Sequence, residues 1–497
     1  MSSIKKLVGQ TAWYGLSSIA ARFISYLLTP YLTYKLSDIA YGENSIVYAF
    51  IPFLNVIVTH GMETAYFKFG TKENEEEIYN TSSFSMLFVT LLVLIGLFTW
   101  KLPLAELLQI TAHPEYISLL AWIVALDALT TIPFSRLRLQ ERPKKFALIK
   151  IVGILINILA TYSFISLLPN YVATHPTSFL QKLYQPNWEV GYILIAGIVQ
   201  NVFVMLLLQK EIRSIRFKFN FKLWWSMMAF AVPLILVGFG GMINETLDRI
   251  MLGWWGPGAT ADENKAMVGV YSACYKLAIL ITISIQAFRM AAEPFFFRES
   301  NQSNAPQTYA RVMRFFVLTC CVLFLIISLY IDVVGWFFEA IHRGEWTEGL
   351  QWVPLFALGN IFLGIYYNLS VWYKLTDKNQ WGAWITVIGA AITIGLNIWL
   401  IPEFHYLGAA IATVSCYATM MILSYWSGQK FYPVPYNLKK LSMYIGSSVI
   451  LVLTHRCLIT QLDAAWFNLL VATVFLGAFL LFAWKEFQLD RKAKAFN

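Results

Sequence analysis

The run N-E-T-L-D-R-I-M-L-G (Asn244–Gly253), a polar interval, and then V-G-V-Y-S-A-C-Y-K (Val268–Lys276) set ionised side chains at the end of one long apolar segment and inside the next. Glu245, Asp248 and Arg249 close the first segment; Lys276 lies about ten residues into the second. A charge at membrane depth costs ~2.5–3.5 kcal/mol on insertion scales, so such groups face a cavity or a partner. The stretch therefore points to a membrane fold and to a place within it where something polar is handled.

Outward from it, apolar runs follow one another along the whole chain. They lie near 11–35, 44–67, 82–100, 116–135, 146–168, 189–208, 223–247, 266–288, 313–338, 352–373, 382–401, 407–427, 440–458 and 464–484. Each is long enough to cross ~30 Å of hydrocarbon as a helix. They are too long and too evenly apolar for barrel strands, which alternate over roughly ten residues. Only 13% of the 497 residues are charged, against about a quarter in a soluble domain. The expected fold class is an all-α polytopic membrane protein of about 14 transmembrane helices.

The basic residues test that count. With the N-terminus on the cytoplasmic side, alternate loops collect 28 of the 37 Lys and Arg residues on that side. Six fall opposite, Lys35, Lys101, Lys182, Lys265, Arg343 and Arg456, and three, Arg22, Arg249 and Lys276, lie within or at the ends of spans. This is the positive-inside bias, and a miscounted helix would invert it downstream. The net charge of +9 is thus a topology signal, not a nucleic-acid footprint. Both termini are expected in the cytoplasm, with no cleavable signal before Lys5 and Lys6. The five cysteines all sit in apolar segments without a C-x-x-C and read as small buried hydrophobes; no metal site is expected. Loops are short, the longest outer one running from Pro169 to Trp188, and no G-x-x-x-x-G-K-[ST] occurs, so no ATPase motif of that kind is expected in this chain.

The two halves echo each other. Y-G-E-N-S-I-V-Y from Tyr41 follows the first span, and V-G-V-Y-S-A-C-Y from Val268, 227 positions on, follows the seventh. M-E-T-A-Y-F-K-F from Met62 and A-E-P-F-F-F-R-E from Ala292 end spans two and eight; Asn157 with Pro169 and Asn397 with Pro402 mark spans five and eleven. Six spans per half make a parallel repeat about an axis along the membrane normal, with a site between the halves. The expected division is 1–215, 216–432 and an appended pair of spans with a cytoplasmic tail at 433–497.

Three runs carry a family resemblance: P-Y-L-T-Y-K-L-S-D-I-A-Y-G from Pro30, G-M-E-T-A-Y-F-K-F from Gly61, and L-D-R-I-M-L-G from Leu247 with V-G-V-Y-S-A from Val268. They resemble bacterial lipid-linked oligosaccharide flippases, the O-antigen and polysaccharide-unit translocases of the multidrug/oligosaccharidyl-lipid/polysaccharide exporter superfamily. The resemblance spans the whole chain, but its motifs are mostly structural. It implies two pseudo-symmetric six-helix bundles in a V, alternately open to either face, with a cavity lined by spans one, two, seven and eight. It also implies a polyprenyl-diphosphate-linked glycan as substrate, membrane lipid and polysaccharide-assembly membrane proteins as partners, and the bacterial inner membrane as location.

The residues themselves rank as follows. Arg22, in the middle of span one, is too deep to snorkel easily and is a candidate contact for an anionic substrate, as is Lys276. Their charges would replace the water and counterions lost by a diphosphate. Arg249 follows Glu245 at the i,i+4 spacing of a local ion pair, so substrate contact and pairing stand level for it. Asp248 reads as an ion partner for Lys276 or Arg22, or as a ligand for a coupling ion. Asp127 in span four could exchange a proton or sodium ion, or pair within its bundle. His60 reads as a hydrogen-bonded packing residue and Glu63 as interfacial. No catalytic set of acid, base and nucleophile assembles, and no cofactor beyond a proton or sodium gradient is expected. A drug or small-cation exporter of the same fold would favour an acidic cavity, which the balance of Arg22, Arg249 and Lys276 against Asp127 and Asp248 opposes. A membrane glycan polymerase or ligase would need a larger outer loop.

Overall fold

A computed structural model describes residues 19–20, 23–70, 74–182, 184–300, 302–459 and 465–495. Among them it is helical throughout, and twelve helices are long and apolar enough to cross a membrane. We label these α1 (Asp38–Thr59), α2 (Glu75–Thr99), α3 (Glu115–Leu139), α4 (Pro143–Tyr162), α5 (Glu189–Leu207), α6 (Phe221–Trp255), α7 (Ala261–Glu299), α8 (Ala305–Leu329), α9 (Val353–Leu369), α10 (Asn379–Phe431), α11 (Leu438–Ile459) and α12 (Ala465–Ala495). At 53 residues, α10 would extend ~80 Å as one rod, far beyond one bilayer. It is two spans joined at a break, His405 having φ 51° and ψ −122°. The described residues thus supply thirteen of the crossings read from the sequence, and of the first, 11–35, positions 11–18 and 21–22 lie outside them.

Local chemistry sets the ends. Ser37 caps α1 by accepting the Ala40 N–H at 3.1 Å, and Asn220 caps α6 by accepting that of Leu223 at 3.0 Å; each supplies an acceptor that a helix start lacks. α2 opens on Glu75, Glu76 and Glu77 and α3 closes on Arg136 and Arg138, both favourable to the helix dipole. α1 stops where His60 and Gly61 turn left-handed, at φ 34° and 69°. A side chain at Gly61 would also meet backbone and Cβ atoms of Ala231 at 3.0 Å, so that glycine lets α6 approach the break. α4 runs on through a π-helical turn, Ser163–Leu167, into Leu168–Thr174.

The chain forms two compact units, 1–272 with 397–405, and 273–396 with 406–497. In the first, α3 packs against α1, α2 and α5, α4 against α5, and α6 against α1. In the second, α8 packs against α9, α11 and α12. The appended pair is tied by Glu486, which accepts from Lys440 Nζ at 2.7 Å and Tyr444 Oη at 2.6 Å. Large apolar side chains on helix exteriors, among them Phe88, Leu159, Trp399 and Leu481, are exposed, as a hydrocarbon-facing surface requires.

Candidate functional site

Arg22, the deepest cation of the sequence reading, lies outside the described residues. Lys276 is half-buried on α7 in the second unit; Arg249 is half-buried on α6 in the first. Asp248 is buried beside it, and one carboxylate oxygen accepts the Arg249 backbone N–H at 2.8 Å. The other accepts the hydroxyl of Tyr271 on α7. Asp248, read as an ion partner or a coupling-ion ligand, is held by a phenol and a peptide group. Charge-assisted hydrogen bonds of this kind are stronger than neutral ones and hold the carboxylate in one orientation. Glu245 is exposed, and no ion pair joins it to Arg249 among the described residues. Asp127 is half-buried on α3, and its backbone carbonyl receives the hydroxyls of Thr130 and Thr131 at 2.9 and 3.2 Å.

His60 is a packing residue. Its Nδ1 lies 2.8 Å from the Val58 carbonyl and its Nε2 2.9 Å from Ser85 Oγ, which also accepts from Trp224 Nε1 at 2.8 Å. Glu63 accepts from Arg138 at 3.0 Å in a half-exposed pair, as an interfacial group should.

The constellation that sequence reasoning missed joins the start of α1 to the start of α7. Lys265 Nζ donates to Glu43 at 2.9 Å and also reaches Asp262 at 2.7 Å. Both members of the Glu43–Lys265 pair are buried, at 7% and 5% exposure. Beneath it the two helices meet backbone to backbone. A Cβ on Gly42 would lie 1.8 Å from the Lys265 carbonyl oxygen, and one on Gly269 would lie 2.3 Å from that of Asp38. Each of those atoms would also lie 3.1 Å from the other glycine's nitrogen. Gly42 and Gly269 are 227 positions apart, and so are Asp38 and Lys265. The offset read from the echo of Y-G-E and V-G-V thus recurs in space as a reciprocal contact. That echo was the available signal; the charge pair has none, since its members stand 222 residues apart.

Such an arrangement performs no bond chemistry. It joins the starts of two helices through a buried charge contact above a close backbone crossing. The fold is that of membrane transporters: it superimposes on a solved structure of lipid II flippase MurJ in an inward closed conformation with a TM-score of 0.71, 13% identity, 95% of this chain and 99% of that one covered. An inward-facing multidrug resistance MATE family transporter of the MOP superfamily matches with a TM-score of 0.61, 13% identity, and 85% and 94% covered. A curated relative, protein 1 of the Lsg locus of Haemophilus influenzae, is 22% identical over 302 residues, 60% of this chain and 67% of its own length. Residues 7–300 match the family model for polysaccharide biosynthesis proteins. The class is a multi-pass helical membrane protein with the fold of the flippase and MATE structures. Within that class, the chain belongs to the polysaccharide biosynthesis protein family.

Proposed function

We propose that this protein moves polyprenyl-diphosphate-linked oligosaccharide units from the cytoplasmic to the outer face of the bacterial inner membrane by alternating access, for assembly of a cell-surface polysaccharide or lipopolysaccharide. The family match over residues 7–300 carries this reading, and the excess of basic residues in alternate loops supports the orientation with both termini inside. In that orientation the Gly42–Gly269 crossing and the Glu43–Lys265 pair lie at the outer ends of α1 and α7. In this reading the crossing and the pair above it hold the outer ends of α1 and α7 together. The diphosphate enters from the cytoplasm to Arg22 and Lys276, with Arg249 nearer the exit. Asp127, Asp248 and Glu245 are the acids available to a proton or sodium gradient. Release follows when α1 and α7 part and water reaches Glu43 and Lys265.

The test is glycan display in cells that depend on this protein. Arg22→Ala and Lys276→Ala should each abolish display at matched membrane levels, whereas Lys276→Arg should retain part of it. Wild-type display by both alanine variants would overturn the assignment. Reconstituted flipping of a lipid-linked glycan, with and without each gradient, decides the coupling ion.

A further inference from the structure

We propose that the segment joining α5 to α6 in the first unit is a binding site for an anionic phospholipid of the leaflet that faces the basic loops. Its phosphate would sit on Arg213, Lys218 and Lys222, and one acyl chain would occupy the cavity alongside. The segment reads R-F-K-F-N-F-K from Arg216 to Lys222. Its backbone is not helical from Arg213 to Asn220, where the Lys218 N–H turns back to the Arg216 carbonyl at 2.7 Å, and Phe221 and Lys222 open α6. Exposed Arg213, Lys218 and Lys222 are interleaved along the chain with exposed Phe217, Phe219 and Phe221. Phe217 is 85% exposed yet fixed, its ring 5.2 Å from that of Phe84, with Phe219 at 6.1 Å from the same ring.

Exposed rings on a loop are ordinarily a cost, and this loop is held in place to present them. Its Arg216 N–H donates to Asn80 Oδ1 at 2.8 Å, its Asn220 N–H to Thr81 Oγ1 at 3.3 Å, and the Asn220 amide to Glu77 at 2.7 Å. Just upstream, buried Glu211 takes two contacts of 2.7 Å from Lys145. Arg216 reaches Glu76 at 3.9 Å. Arg213, Lys218 and Lys222 are exposed and have no ion pair among the described residues, so their charge is available to an outside anion. Against the segment lies a cavity of about 190 Å³ lined by Phe84, Leu87, Leu129, Ile132, Met205 and Phe217. Basic and aromatic groups interleaved at a membrane surface match the phosphate and upper chain of an anionic lipid, and a fixed loop loses little ordering entropy on binding.

The test offers delipidated full-length protein in detergent dioleoylphosphatidylglycerol, dioleoylphosphatidylcholine or sn-glycerol 3-phosphate, and counts retained lipid by native mass spectrometry. The wild type should retain the glycerol lipid over the choline lipid. Replacing Arg213, Lys218 and Lys222 with Gln together should cut that retention by about fivefold per charge, roughly a hundredfold at low salt. Lys218→Arg with Lys222→Arg should preserve it, and Lys430→Gln with Lys439→Gln on another basic loop should leave it unchanged. Leu87→Trp, which fills the cavity and keeps every charge, should also lower it. Equal retention by the triple variant, no preference between the lipids, or displacement by sn-glycerol 3-phosphate at equal concentration would each overturn the proposal.

Discussion

Adding one methyl group at Gly42 should open the outer end of this protein. The Cβ of Gly42→Ala would sit 1.8 Å from the Lys265 carbonyl oxygen, and real contacts begin at 3.0 Å, so the helices must part there by at least 1.2 Å. The obstacle is backbone, which cannot rotate away. A movement of that size also strains the Glu43–Lys265 contact, now 2.9 Å. Overpacking typically costs about 1–3 kcal/mol, and here it falls on the closed state alone. A differential of that size moves a two-state equilibrium about 5- to 150-fold. The reporter is Ser45→Cys, placed where Ser45 is 9% exposed, in a background with the five native cysteines replaced. Its reaction with a membrane-impermeant maleimide added outside should accelerate by that factor in Gly42→Ala. Gly269→Ala, whose Cβ meets the Asp38 oxygen at 2.3 Å, should do the same. Glycan display should fall in both, because the state that loads substrate is visited less. Unchanged labelling in both variants at normal membrane levels would refute closure by this crossing.

Two further outcomes follow from the same region. Glu43→Gln leaves Lys265 buried with only Asp262, and losing one partner of a buried pair costs about 3–5 kcal/mol; outside labelling at Ser45→Cys should rise, and the exchange of Glu43→Lys with Lys265→Glu should bring it partly back. Tyr271→Phe removes the hydroxyl donor to buried Asp248 and should lower thermal stability in detergent by about 1–3 kcal/mol. Asp248→Asn should remove most of that penalty, and strictly additive effects in the double-mutant cycle would show that the hydrogen bond contributes nothing.

What could be read without coordinates was whatever has a period or a sign. Spans announce themselves through twenty apolar residues in a row, and loop charge orders them, so even the two spans that share α10 were separable. The repeat offset was legible as well, because Gly42 and Gly269 sit in matching runs. Partnership was not legible. Lys265 read as an ordinary outer-loop cation, because the carboxylate that buries it stands 222 residues away. Spacing favoured Arg249 for Glu245, yet Glu245 is exposed and Asp248 takes Tyr271 instead. A helical spacing rule sees neighbours on one helix, whereas a buried acid is satisfied by whichever donor the adjoining helix presents.

The crossing of α1 and α7 has a consequence for how such a chain arose. Gly42 meets Lys265 and Gly269 meets Asp38, positions that exchange under the 227-residue offset. That is isologous geometry, the contact two identical subunits make about a two-fold axis. A half-length ancestor could have formed it as a homodimer before gene fusion joined the copies. Glu43 and Lys265 do not obey the exchange, since their counterparts are Val270 and Asp38. In a homodimer every charge appears twice; in the fused chain one copy could acquire an acid and the other a base. The glycine crossing keeps the two-fold symmetry of the repeat, and the charge pair above it departs from it.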